Sequence, residues 1–327
     1  MTYHQPDTRW HHFSINDFDA YVTALVVKGR FHPCVPEDVT EAYNIAEHMM
    51  AHAWYHYPLY HEALSKVLRI IEMAVKLRCR QLQIALSRKV TKKGRETEEK
   101  RPLKQLMDDL VKAEPEKALA SQFEVARSLR NLLMHPDSHT YSGAMSIRFI
   151  MQSVTLLNTL FLPPALVAGL QQHLDTVKKQ IECFHIRQLV LDEGNGRVLL
   201  EDVSIEAAIC IGNQWQYLLA CHPLINNAAE NLQKGSYPKP ICYFVADLSV
   251  TEDKIEAQIL DANQSLSIVH TDHPTNIDTY NSWLQAKEVL PENDRLLLKH
   301  YTSHEVGECE NEFWYTKLYK VTANVVE

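Results

Sequence analysis

The stretch HIRQLVLDEGNGRVLLEDVSIEAAICIGNQWQYLLA, residues 185–220, decides the fold class, because the apolar period of the chain changes within it. It reads as two hairpins. Residues 187–203 supply two strand-like runs around Gly194-Asn195-Gly196, and residues 207–220 supply two more around Gly212-Asn213. Both are turn sequences suited to antiparallel pairing. Downstream, residues 241–250, 254–262, 265–270 and 313–326 continue as strand candidates, with a short helix expected over Ile277 to Lys287.

Upstream of His185 the period is helical. Ser14-Ile15-Asn16-Asp17 reads as a capping box opening a helix with Phe18, Tyr21, Val22 and Leu25 on one face and Gly29 as its stop. A second helix runs from Pro36 to about Tyr57, where Pro58 ends it. The third carries Leu64, Leu68, Ile71, Val75, Cys79, Leu82 and Leu86 in one stripe, and VTKKGRETEEKRP, residues 90–102, then reads as an exposed loop. Further helices are expected from Leu103 and from about Pro115, the latter with Leu119, Phe123, Ala126 and Leu133 inward. Another runs through Met145, Phe149, Leu156 and Leu160 to Pro163-Pro164, and the last carries Leu166, Leu170, Leu174, Val177 and Ile181. Long helices joined by short connections make a bundle. The expectation is an α+β chain of two domains: an all-α bundle over 36–184, preceded by an extension with one helix (1–35), and a β-rich domain over 185–327.

With 327 residues the chain is long enough for two cores. Its net charge of −8 hides an asymmetry. Residues 1–185 hold 23 Lys/Arg against 20 Asp/Glu, whereas residues 186–327 hold 10 against 21. Within the first part, Lys66 to Lys104 carries 13 basic and 4 acidic residues, a concentration that attracts polyanions by counterion release. The start of the chain has no apolar signal segment, and no apolar run reaches the length of a membrane span. Seven scattered cysteines without a C-x-x-C pair suggest free thiols in a reducing compartment. A soluble, cytoplasmic protein is expected. No glycine-rich nucleotide loop, G-x-S-x-G elbow or H-E-x-x-H is present, so no cofactor is expected. His48, His52 and His56 recur every four residues, but no carboxylate or thiolate completes a metal set.

The functional candidates lie in SLRNLLMHPDSHTYSG, residues 128–143. Pro136 should end the helix near His135 and leave its imidazole at the helix mouth. Arg130 lies about one and a half turns back, with Asn131 beside it able to donate and accept. An ordinary helix terminus has the same composition, since cations are favoured there, and Arg295 to His300 repeats the spacing elsewhere. On the third helix Glu72 and Lys76 stand one turn apart, where they can pair with each other. Arg69 and Arg80 share their stripe.

These residues resemble the HEPN family (the higher eukaryotes and prokaryotes nucleotide-binding domain), a helical bundle that is a ribonuclease in many members. Its hallmark is an Arg, a polar residue and, a few positions on, a His near the end of a late helix, which RNLLMH at 130–135 fits. Many members also carry Glu-x-x-x-Lys/Arg on an earlier long helix, which EMAVK at 72–76 fits. The resemblance covers about residues 37–162, in helix order as well as motif. Asp137 stands where one toxin branch has a tyrosine.

The resemblance implies a metal-independent endoribonuclease that leaves a 2′,3′-cyclic phosphate and serves as a toxin, phage-defence or stress effector on RNA, including tRNA. One imidazole cannot readily serve as base and acid in one step, so a homodimer is implied, with His135 of each chain transferring protons. Arg130 would clamp the phosphate, Asn131 orient, Glu72 hold Arg130, and Arg69, Lys76 and Arg80 meet the RNA backbone. The acidic β-rich domain would regulate or target the bundle, or bind an antitoxin. The alternative is a non-catalytic HEPN-like module that binds a nucleotide or partner, with the β-rich domain as the recognition element.

Overall fold

The computed structural model describes residues 4–92, 95–134, 146–184, 188–194, 196–260, 262 and 264–321. The chain is mixed α+β, with helices in its N-terminal part and a β-barrel in its C-terminal part. It divides into two compact units, residues 1–167 and 168–325.

In the first unit a short 3-10 helix, Thr8–Phe13, precedes α1 (Phe18–Leu25), α2 (Glu37–His52) and α3 (Pro58–Gln81). Asp17 alone caps α1, accepting from the Ala20 amide at 2.8 Å, while Ser14 closes the preceding turn in a left-handed conformation. The expected capping box is therefore absent. Nor does Gly29 stop the helix, which ends at Leu25. A Cβ at position 29 would lie 2.7 Å from the Tyr43 ring, so close packing is what asks for glycine there.

Helix α3 buries ten residues along one side, including Leu64, Leu68, Ile71, Val75 and Cys79, and ends at Gln81 rather than reaching Leu86. Residues 90–102 are not simply a loop. β1 (Ser87–Lys92) and β2 (Arg95–Lys100) pair as an antiparallel hairpin whose register sets Arg88 opposite Glu99 and Lys89 opposite Glu98. Opposite charges directly across a ladder stabilise it. The N-terminal part is therefore not purely α-helical.

α4 (Leu103–Ala113), α5 (Ala120–Met134) and α6 (Ile147–Phe161) follow. Two buried polar nodes tie this unit together. Glu114 accepts from Arg78 Nε at 3.0 Å and pairs with Lys117 Nζ at 3.1 Å, and Lys117 also donates to the Leu160 carbonyl. The Asn158 side chain accepts from the His32 amide and donates to the Arg30 carbonyl.

Helix α7 (Pro164–Phe184) is expected from its sequence to belong to the bundle. Its apolar stripe instead packs with the second unit: Leu174, Val177, Ile181 and Phe184 share a core with Leu191, Val203, Leu219, Val245 and Ile268. Those residues line a closed antiparallel barrel of β3 (Leu189–Asp192), β4 (Arg197–Ile211), β5 (Gln214–Pro223), β6 (Ile241–Val250), β7 (Lys254–Ile259) and β8 (Gln264–His270). Pairing of β3 with β8 closes it. Gly212, at φ +61°, opens the expected two-residue turn between β4 and β5, a conformation other residues adopt at a cost.

Beyond the barrel, residues 313–326 were expected to form a strand. Residues up to Lys317 instead complete a long helix. α8 (Ala228–Gln233) and α9 (Pro274–Glu288) pack with α10 (Glu292–Lys317) through Leu232, Trp283, Ala286 and Leu298.

Candidate functional site

The inward face of α5 is set by Phe123 and Ala126, each 3 % exposed, which follow buried Leu119 at intervals of four and three residues. Four residues beyond Ala126 the same face presents Arg130, so the helical period aims its guanidinium toward α3. There its Nη2 lies 3.2 Å from Glu72 Oε2. The other carboxylate oxygen, Oε1, takes Lys76 Nζ at 2.7 Å. One carboxylate therefore bridges two cations from two helices.

The Glu72 side chain is 24 % exposed, against 42 % for Lys76 and 37 % for Arg130. Burial acts to raise the Glu72 carboxyl, but the hydrogen bond and charge of Lys76 and the charge of Arg130 outweigh it and hold the group below the ordinary glutamate range. Glu72 is thus ionised near neutrality. It is placed to orient Arg130, not to carry protons. Glu72 engages one nitrogen of the guanidinium, and a fork of five N–H donors retains capacity for an oxyanion.

Asn131 and Leu132 sit one and two positions past Arg130 and are both exposed on the outer side of α5. Arg69 and Arg80 are exposed on α3, and among the described residues neither has an ion-pair partner. His135 lies outside the described residues. His48 and His52 are exposed on α2, with His48 Nδ1 2.8 Å from the Asn44 carbonyl, and His56 follows the helix.

The basic stretch from Lys66 to Lys104 is less uniformly available than its composition suggests. Arg78 is committed to Glu114, Arg101 to Asp109, and Lys76 to Glu72. The buried Arg78–Glu114–Lys117 node was not anticipated; its only sequence signal is an acidic residue three positions before a lysine in a helix-to-helix connection. Burial first, then the Arg78 charge, lowers the Lys117 ammonium to about 8 even with Glu114 beside it. Glu114 itself is held below its ordinary range, since Arg78 and Lys117 outweigh the opposing effect of burial.

Among the described residues, no single helix is long and apolar enough to cross a membrane. Comparison with protein-family models, curated proteins and solved structures finds no match.

Proposed function

We propose that this chain is a metal-independent endoribonuclease of HEPN type that acts as a homodimer. In this reading Arg130 grips the oxygens of the scissile phosphate and Glu72 fixes the direction from which it does so. His135 of one copy takes the proton of the attacking 2′-hydroxyl, and His135 of the other protonates the leaving 5′-oxygen. The attack closes a 2′,3′-cyclic phosphate. Asn131 orients the imidazole or the phosphate, while Arg69, Lys76 and Arg80 meet the RNA backbone.

The observation that carries the reading is the Glu72 carboxylate bridging Lys76 and Arg130, because it joins two motifs more than fifty residues apart in the sequence at one point. The exposed face of α5 supports a second copy: Val125 and Leu132, seven residues apart on that helix, are 46 % and 70 % exposed beside Asn131. Toxin, phage-defence or stress duty in the cytoplasm, with tRNA among the substrates, follows from the family reading. The acidic residues after 185 would engage a regulator or antitoxin.

The test is incubation of the purified full chain with bulk RNA and tRNA in excess chelator, with analysis of product ends and of mass by light scattering. Cyclic phosphate ends produced by a dimer support the reading. RNA binding without cleavage sinks it and favours the non-catalytic module.

A further inference from the structure

The barrel unit carries a pair of thiols that the nuclease reading does not use. Cys242 lies on β6 and Cys309 on α10; both are free and partly buried. They meet along a seam held at each end by another contact. Before β6, Lys239 pairs with Glu305 at 3.0 Å. Further along, the Phe244 and Phe313 rings meet edge to face with centroids 5.4 Å apart. Between them, Cys242 and Cys309 stand as neighbours, each thiol shifting the titration of the other. The periods agree with this order. Cys242 and Phe244 are two apart on a strand, and Glu305, Cys309 and Phe313 are successively four apart on a helix, so each set shares one face.

We propose that Cys242 and Cys309 form a redox latch, which an oxidant of the peroxide class closes into a disulfide tying α10 to β6. Cys309 enters as thiolate and attacks a peroxide oxygen; the O–O bond breaks, leaving a sulfenic acid and a hydroxide that takes up a proton as water. The Cys242 sulfur then attacks the Cys309 sulfur, and its proton leaves with the displaced hydroxide as a second water. The two thiols lose two electrons and the peroxide gains two.

The roles follow from the surroundings. The neighbouring Cys242 thiol lowers the Cys309 thiol against burial and the nearby Glu312 and Glu305 carboxylates, with the Lys239 ammonium assisting. Cys309 in its turn, together with burial, raises Cys242, which suits it to resolve rather than to attack first. Cys79 and Cys221 are fully buried, and burial pushes both thiols up, Cys79 to about 11. They compete poorly for the oxidant.

The experiment is titration of the full chain with hydrogen peroxide, alkylation, and non-reducing peptide mapping by mass spectrometry. The expected result is a dominant Cys242–Cys309 peptide, loss of two of the seven thiols, and full reversal by dithiothreitol. Closing a loop that contains β7, β8 and α9 should also raise the thermal midpoint of this unit by roughly 5 °C. Cys242→Ser should leave a dimedone-reactive sulfenic acid on Cys309, whereas Cys309→Ser should abolish both the crosslink and that adduct. The proposal is overturned if the wild-type map shows no Cys242–Cys309 peptide while exposed Cys34 oxidises, or if Cys242 pairs with Cys221 instead. The wild-type map decides the matter even where a serine variant fails to fold.

Discussion

Glu72→Gln keeps the shape of the bridging side chain and removes its charge. In the native protein that charge holds Lys76 Nζ at 2.7 Å and Arg130 Nη2 at 3.2 Å. Both cations are more than a third exposed, so water and salt screen each pair, and such a contact is worth about 0.5 kcal/mol. Two of them give an expected loss of about 1 kcal/mol, or a urea midpoint lower by about 0.5 M for a typical slope of about 2 kcal/mol/M. Cleavage should fall further, by roughly ten- to a hundredfold, because a guanidinium released from its carboxylate no longer waits in one direction. RNA affinity should hold or rise, since a negative charge has left a basic face. The pH dependence has a definite sign. A carboxyl held below its ordinary value of 4.5 contributes stability above that value and loses it as pH falls through the folded value, so the two proteins should differ at neutrality and converge in acid. Urea unfolding at several pH values, paired with cleavage of a fluorescent RNA, measures all of this. Equal cleavage by the variant, or loss of RNA binding as large as the loss of cleavage, refutes the positioning role.

Glu114→Gln should be far more costly than Glu72→Gln, about 3–5 kcal/mol in urea unfolding, because it strands Arg78 and Lys117 in a site where Glu114 is 2 % exposed. A loss below about 1 kcal/mol would mean that water enters the node. Asp7 is lowered to about 2, first by its hydrogen bond from Arg9, so its contribution is complete above 3.8 and fades as pH falls toward 2. Asp7→Asn should cost on the order of 1–2 kcal/mol at neutrality and less at pH 3, and a loss independent of pH would argue against the ionised pair. Replacing Arg69 and Arg80 with alanine should lower the salt slope of RNA binding by about 1 per phosphate contact, and Lys76→Ala should lower it less, because Glu72 already neutralises that charge. An equal effect at all three positions would mean that Glu72 does not neutralise Lys76 when RNA is bound.

Elements with dense apolar periods were legible in the sequence, whereas sparsely buried ones were not. α3 buries a residue on nearly every turn, and Gly212-Asn213 marks its hairpin directly. α10 buries only Leu298, Val306, Phe313 and Lys317 over 26 residues, too thin a stripe to outweigh the strand-like composition of Phe313-Trp314-Tyr315. The β1–β2 hairpin has almost no apolar alternation. Its signal was charge order, a basic run followed by an acidic one that can lie opposite it. At the candidate site, the spacing of Glu72 and Lys76 permitted a simple pair between them, while the contact of Glu72 with Arg130 was expected only from the family resemblance, and the structure shows both. That contact joins α3 to α5 across the fold, so no local pattern could have announced it.

In the proposed reaction both proton transfers pass through His135. The decisive measurement is single-turnover cleavage of RNA in chelator by His135→Ala, alongside RNA binding and light scattering of the same preparation. The expected result is a folded dimer that binds RNA as the native protein does but cleaves it on the order of 10² to 10⁴ times more slowly, any residual product ending in a 2′,3′-cyclic phosphate. Cleavage at the native rate would contradict it, as would a variant that loses activity only because it unfolds or falls apart into monomers.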